Sequence, residues 1–235
     1  MAPADLIVEP TAKQAARAAA DLIAAALRAA ISTRGTASVA FSGGQTPTAM
    51  LEALAVLPLP WQLTHVFQVD ERVAPEGDAA RNSTALRNAL LDHVNTNPHL
   101  MDVTASDLIE SAQRYADVVH AHEPLDVVHL GVGDDGHTAS WPPGAPVIDD
   151  RARAARGRAG SDEVAIVGLF RGFVRMTITP RVVDRARAVV LLVAGADKAS
   201  VLSRMLAGDQ TVVASRVLGP RATVVADEAA AALLR

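Results

Sequence analysis

The apolar positions of the chain fall into two alternating patterns. Short aliphatic or β-branched runs have the length and composition of buried strands: LIVE (6–9), ASVAF (37–41), LTHVFQVD (63–70), LDVVHL (125–130), ARAVVLLVAG (186–195) and the start of ATVVADEAAAALL (222–234). Between them lie stretches with apolar residues at helical spacing. Leu22, Ile23, Ala26, Leu27, Ala30 and Ile31 mark the first helix, which begins at a Thr11–Gln14 capping box and stops at Gly35. TPTAMLEAL predicts a helix with Thr46 as its cap and Pro47 at its first position. Further helices are predicted near NSTALRNALLDHV, over TASDLIESAQRYADVVHAH with Thr104 as cap, over DKASVLSRML, and after the last strand. EVAIVGL and VRMTIT read as two adjacent strands of antiparallel type. Residues 142–163 lack periodicity and are rich in Pro, Gly, Arg and Asp, which predicts a surface loop.

Strands that alternate with helices predict an α/β fold: a Rossmann-like, mostly parallel sheet flanked by helices, with a small additional strand region. The 235 residues show no repeat or linker and are expected to form one domain, 1–235. Half of the chain is hydrophobic but only 3% is aromatic, so aliphatic side chains must fill the core. A formal net charge of −4 offers no basic surface for nucleic acid or an anionic membrane. With no cysteine, disulfides, thiolate metal sites and a cysteine nucleophile are excluded. MAPADLIVEPTAKQ lacks the basic and apolar segments of a signal peptide, and no apolar run approaches the roughly 20 residues of a membrane span. A cytoplasmic protein, monomeric or weakly dimeric, is expected.

Four polar clusters each follow a strand: SGGQTP, DER (70–72), GVGDDGHTAS (131–140) and GADK (195–198). In open α/β sheets, ligands bind outside the carboxyl ends of the strands, so these clusters converge on one candidate site. Ser42, Gly43 and Gly44 precede a helix start, where close backbone approach and the helix dipole favour an anion; the same composition also suits an ordinary turn. The chain lacks a Walker loop, and Ser42 is not in a G-x-S-x-G elbow. Arg72 has the planar fork that suits phosphate or carboxylate, and Asp70 could orient a side chain or hold a hydroxyl. The alternative for DER is a solvated charge cluster.

His137 stands behind Asp134, Asp135 and Gly136. An imidazole is the natural general base near neutral pH, and a neighbouring carboxylate can fix its tautomer. The plain alternative is a loop histidine in a turn hydrogen bond. Lys13 and Lys198 are the only lysines, and Lys198, at a helix start, opposes the dipole unless it meets an anion. His65 and His129 lie within strands, and His93, His99, His120 and His122 at helix ends or loops. HAHE (120–123) looks like a fragment of a metal site without a complete ligand set, so no metal and no cofactor are expected.

Taken in order, FSGGQTP, VDERVAP with Asn82 beyond it, LGVGDDGHTAS, RMTIT and AGADKA resemble the 6-phosphogluconolactonases, which group with the glucosamine-6-phosphate isomerases and deaminases. The resemblance runs from about residue 37 to the end. It implies metal-free hydrolysis of 6-phosphoglucono-δ-lactone to 6-phosphogluconate, the second step of the oxidative pentose phosphate pathway. It places His137 as general base with Asp135 beside it; Asp70, read from its own place at the strand end, joins them as a catalytic candidate. Ser42, Gly43, Gly44, Arg72, Asn82, Arg175 and Lys198 become the phosphosugar contacts. Where the family carries a lysine- and proline-rich stretch before RMTIT, this chain has GLFRGFV, and Arg171 is the candidate to substitute. Trp141 and Pro142 replace an aliphatic–aromatic pair after the histidine loop.

Two other readings fit the same scaffold. An isomerase/deaminase needs a glutamate a few residues after the histidine, but TASWPPGAP offers no acid before Asp149. A non-catalytic sugar-phosphate sensor would keep Arg72 and Lys198, have no need of His137, and usually carry a DNA-binding domain.

Overall fold

The computed structural model describes residues 4–143 and 163–234. Most of the predicted 142–163 loop lies outside the described residues. Strand β1 (Asp5–Glu9) leads into helix α1 (Ala12–Arg34), whose Thr11 cap accepts from the Gln14 N–H and whose end is set by Gly35 at φ 84°. There follow β2 (Ala37–Phe41), α2 (Gln45–Ala55), β3 (Thr64–Gln68), β4 (Asp70–Arg72), α3 (Asn82–Leu86, continued by a π turn over Arg87–Leu91) and β5 (Asn97–His99). The second half contains α4 (Leu108–Ala121), β6 (Val127–Gly131), β7 (Val164–Phe170), β8 (Phe173–Ile178), α5 (Pro180–Arg185), β9 (Ala188–Val193), α6 (Ala199–Leu206) and β10 (Ala222–Asp227).

The large sheet has seven strands in the order β1-β10-β9-β6-β2-β3-β5, and every pairing is parallel. Its central strands are buried on both faces, as a parallel sheet requires; all five residues of β2 are buried. One face packs on α1 and α2, where the alanines of α1 (Ala15, Ala16, Ala19, Ala20, Ala24) let the helix lie close to the strands. The other face holds the larger core around α4, α5 and α6. The small sheet, β4-β8-β7, is antiparallel, as EVAIVGL and VRMTIT predicted. β7 and β8 are joined by Arg171 and Gly172 at φ 48° and 86°, the tight hairpin turn in which both central residues take positive φ.

Several expectations change. The run 63–70 is not one strand: it breaks at Val69, which donates to Phe41 O (2.9 Å) in the large sheet and accepts from the Ile178 N–H (2.8 Å) in the small one. Asp70 therefore belongs to the small sheet. Gly44, not Thr46, is the N-cap of α2, and α4 is capped by Asp107, whose carboxylate accepts from Ile109 and Glu110, rather than by Thr104. His99 sits in the short edge strand β5, which a proline-bearing NPH triplet does not announce. After β10 the chain forms turns instead of a helix.

Candidate active site

From β2 the chain builds outward through β3 and β5, then returns to the other side of β2 with β6, β9 and β10. The order therefore reverses between β2 and β6, and a crevice opens outside their carboxyl ends. SGG follows β2 there and GVGDDGH completes β6. A cleft of about 480 Å³ occupies the place, and Ser42, Gly43, Gly44, Asp70, Arg72, Asn82, His137, Arg175 and Lys198 all line it. Asp135 is the one candidate outside the lining; it stands behind His137.

His137 is positioned from within its own loop. Its Nδ1 lies 2.5 Å from Asp135 Oδ1, and its backbone N–H donates to the same oxygen at 3.1 Å. With Nδ1 as donor to the carboxylate, Nε2 is left as the basic nitrogen. Burial opposes the Asp135 charge, but the hydrogen bonds from His137 and the nearby Arg171 outweigh it and hold the carboxyl below its ordinary range. Gly133 has to be glycine: a Cβ there would fall 2.0 Å from His137 Nδ1. Phe170 meets the imidazole edge-on at a ring separation of 5.1 Å, and the Arg175 guanidinium lies 5.1 Å from the centre of the same phenyl ring. Arg171 pairs with Asp134 and reaches Asp135 at 3.4 Å, so it steadies the acid pair.

The floor is built on β4. Glu71 is fully buried and accepts from Asn82 N (2.7 Å), Ser83 N (2.8 Å), Arg72 N (2.8 Å), Gln68 Nε2 (3.0 Å) and Arg81 Nε (3.4 Å). It satisfies the first donors of α3 and fixes the residues on both sides of it. Burial pushes its pKa up, yet these donors prevail and hold it below the ordinary value. Asp70 accepts from Ser140 Oγ (2.6 Å) and Asn82 Nδ2 (3.0 Å), and Arg175 Nη1 is 3.7 Å away. For Asp70 burial wins, and its pKa is raised. Asn82 stands so close to Gly43 that a Cβ on the glycine would lie 2.1 Å from Asn82 Oδ1. Arg72 donates to Ala80 O (2.6 Å), and Lys198 lies 3.3 Å from Asp197 at the entry to α6. Ser42 Oγ donates to His129 O (3.2 Å), a backbone carbonyl that cannot take its proton, so this contact does not make it a nucleophile.

Sequence reasoning missed Glu71, Phe170 and Ser140 as parts of this arrangement. Ser140 lay inside the quoted loop, but only the fold shows its contact with Asp70, seventy positions away in sequence.

The family model for "Glucosamine-6-phosphate isomerases/6-phosphogluconolactonase" matches residues 10–231. A 6-phosphogluconolactonase of Synechocystis is 39% identical over 189 residues, covering 76% of this chain and 75% of the relative. One from Streptomyces coelicolor is 34% identical over 223 residues, covering 86% and 83%. Among solved structures, a 6-phosphogluconolactonase from Trypanosoma cruzi superposes with a TM-score of 0.82 at 25% identity, over 98% of this chain and 97% of that one. A monomeric glucosamine-6-phosphate deaminase reaches 0.83 at 20% identity, over 97% and 99%, and shares the fold.

Proposed function

Because the chain belongs to the glucosamine-6-phosphate isomerase/6-phosphogluconolactonase family, we propose that it hydrolyses 6-phosphoglucono-δ-lactone to 6-phosphogluconate in the oxidative pentose phosphate pathway, with His137 activating the attacking water. The observation that carries this reading is the His137–Asp135 pair at 2.5 Å, beside a cleft that also receives Arg72, Arg175 and Lys198.

His137 Nε2 takes a proton from water as its oxygen attacks C1 of the lactone. Negative charge develops on the carbonyl oxygen, and the resulting imidazolium is stabilised by Asp135. When the tetrahedral intermediate collapses, the C1–ring oxygen bond breaks and His137 returns the proton to the departing oxygen. Arg72, Arg175, Lys198 and the backbone of the 42–44 turn hold the phosphate and the developing oxyanion, which is orientation and electrostatics rather than covalent catalysis. Asp70 acts as a positioning residue, aligning Ser140, Asn82 and Arg175. The chemistry calls for no metal or cofactor, and TASWPPGAP after His137 offers no acid before Asp149 to serve ring opening in a deaminase. The reading treats residues 1–235 as one domain with one site. It places the chain in the cytoplasm without a nucleic-acid partner, as a monomer or weak dimer; no helix among the described residues is long and apolar enough to cross a membrane.

Acid release from freshly prepared lactone tests this. The native protein should exceed spontaneous hydrolysis by orders of magnitude, and His137→Ala should lose nearly all of that excess. An unchanged rate in the variant would remove His137 as the base, and ammonia release from glucosamine 6-phosphate would support the deaminase reading instead.

A further inference from the structure

At the β5 edge of the large sheet, away from the cleft, three histidines meet. In the parallel register His65 faces Asn97 and Phe67 faces His99, so His65 and His99 project from the same face of adjacent strands. His122 joins them from the carboxyl end of α4. His65 Nδ1 and His99 Nε2 are 3.0 Å apart, and one ligand nitrogen from each of the three rings lies within 4.8 Å of the others. The rings rest on Phe67, which stacks on His99 at 4.6 Å and meets His122 edge-on at 5.3 Å.

The arrangement has the chemistry of a ligand set. His122 Nδ1 donates to Val118 O at 2.8 Å, which fixes the tautomer and leaves Nε2 as the lone pair; metal-bound histidines are commonly oriented in this way. All three side chains are half-buried, so an ion can reach them while the rings stay held. Zinc–imidazole bonds of about 2.0–2.1 Å place tetrahedral ligand nitrogens roughly 3.3 Å apart, close to the His65–His99 spacing.

We propose that His65, His99 and His122 form a three-imidazole site for a borderline divalent ion, Zn²⁺ foremost, with water in the fourth position. A ligand set of nitrogens without a carboxylate does not suit Mg²⁺ or Ca²⁺. On binding, the N–H shared between His65 and His99 shifts to the other nitrogen of its own ring, so each imidazole stays neutral. The ion ties together β3, the edge strand β5 and the end of α4. His65 is at the amino-terminal end of β3, whereas the cleft opens at the carboxyl ends, so the role is structural and separate from lactone chemistry. HAHE supplied only His122 to this set; its other members were hidden until β3 and β5 lay side by side.

The test uses untagged, chelator-treated full-length protein at pH 7.5, titrated with ZnCl₂ by calorimetry and thermal melting. One equivalent should bind, and Tm should rise by roughly 5–10 °C at a hundredfold excess over Kd. Co²⁺ should give the visible absorption of a tetrahedral site and be displaced by Zn²⁺. His99→Asn and His122→Gln should each weaken binding at least tenfold, with lactone hydrolysis retained, while His137→Ala should bind Zn²⁺ as the native protein does. Absence of stoichiometric binding, binding that survives both edge variants, or binding lost in His137→Ala would each overturn the proposal.

Discussion

The site contains two pairs of adjacent acids, Asp70–Glu71 and Asp134–Asp135, and the fold uses them in opposite ways. Glu71 and Asp70 are 0% and 5% exposed, and they accept hydrogen bonds from donors of the frame: Gln68, Arg81, Ser83, Asn82 and Ser140. The Asp134 and Asp135 side chains are 62% and 34% exposed and hold Arg171 and His137 at the mouth. Two carboxylates in succession therefore say little by themselves. Burial separates a pair that builds the cleft from a pair that tunes its histidine.

The contrast can be broken from either side. Asp135→Asn leaves the His137 ring without its anionic partner and favours the wrong tautomer; kcat should fall roughly 10²- to 10⁴-fold with Tm nearly unchanged. Glu71→Gln should do the reverse, costing roughly 3–5 kcal/mol in denaturant unfolding, because one of the two buried acceptor oxygens becomes an NH2 donor set against the N–H groups it used to receive. The acid limb of the stability–pH curve then separates the two buried neighbours. Glu71 has a depressed folded pKa, so the stability it contributes is present above its unfolded pKa and lost as pH falls through the folded value; Glu71→Gln should flatten that limb. Asp70 has a raised folded pKa, so its contribution declines as pH rises through the window between its unfolded and folded values. Asp70→Asn should steepen the limb. Asp134→Asn is expected to have the smallest effect: Arg171 keeps Asp135, and stability should change by no more than about 0.5 kcal/mol.

These cases also mark how far the sequence could be read. Strand-end clusters pointed to the cleft because a parallel sheet delivers all its carboxyl ends to one side, a rule that needs no contact information. His137 and Asp135 are two residues apart, so their pairing was legible too. Glu71 was not: next to Arg72 it looks like any surface charge, and its donors come from residues 68 to 83, brought together only by the turn into α3. Val69 hid the boundary between the two sheets, because a valine serves equally well in the middle of a strand or as the link between two. β5 stayed invisible because edge pairing through three residues leaves no hydrophobic run to detect.

Trp141 has a further consequence. Its buried indole donates to Ile178 O at 2.8 Å, and the preceding Ser140 N–H meets Thr177 Oγ1 at 3.3 Å. The tail of the histidine loop is thus bolted to β8, the strand that carries Arg175. Base and cation share one mounting plate. The head of the same loop continues β6 of the large sheet, where Thr138 Oγ1 donates to Gly131 O at 2.8 Å, so the loop clamps the two sheets together at the point where base and cation meet.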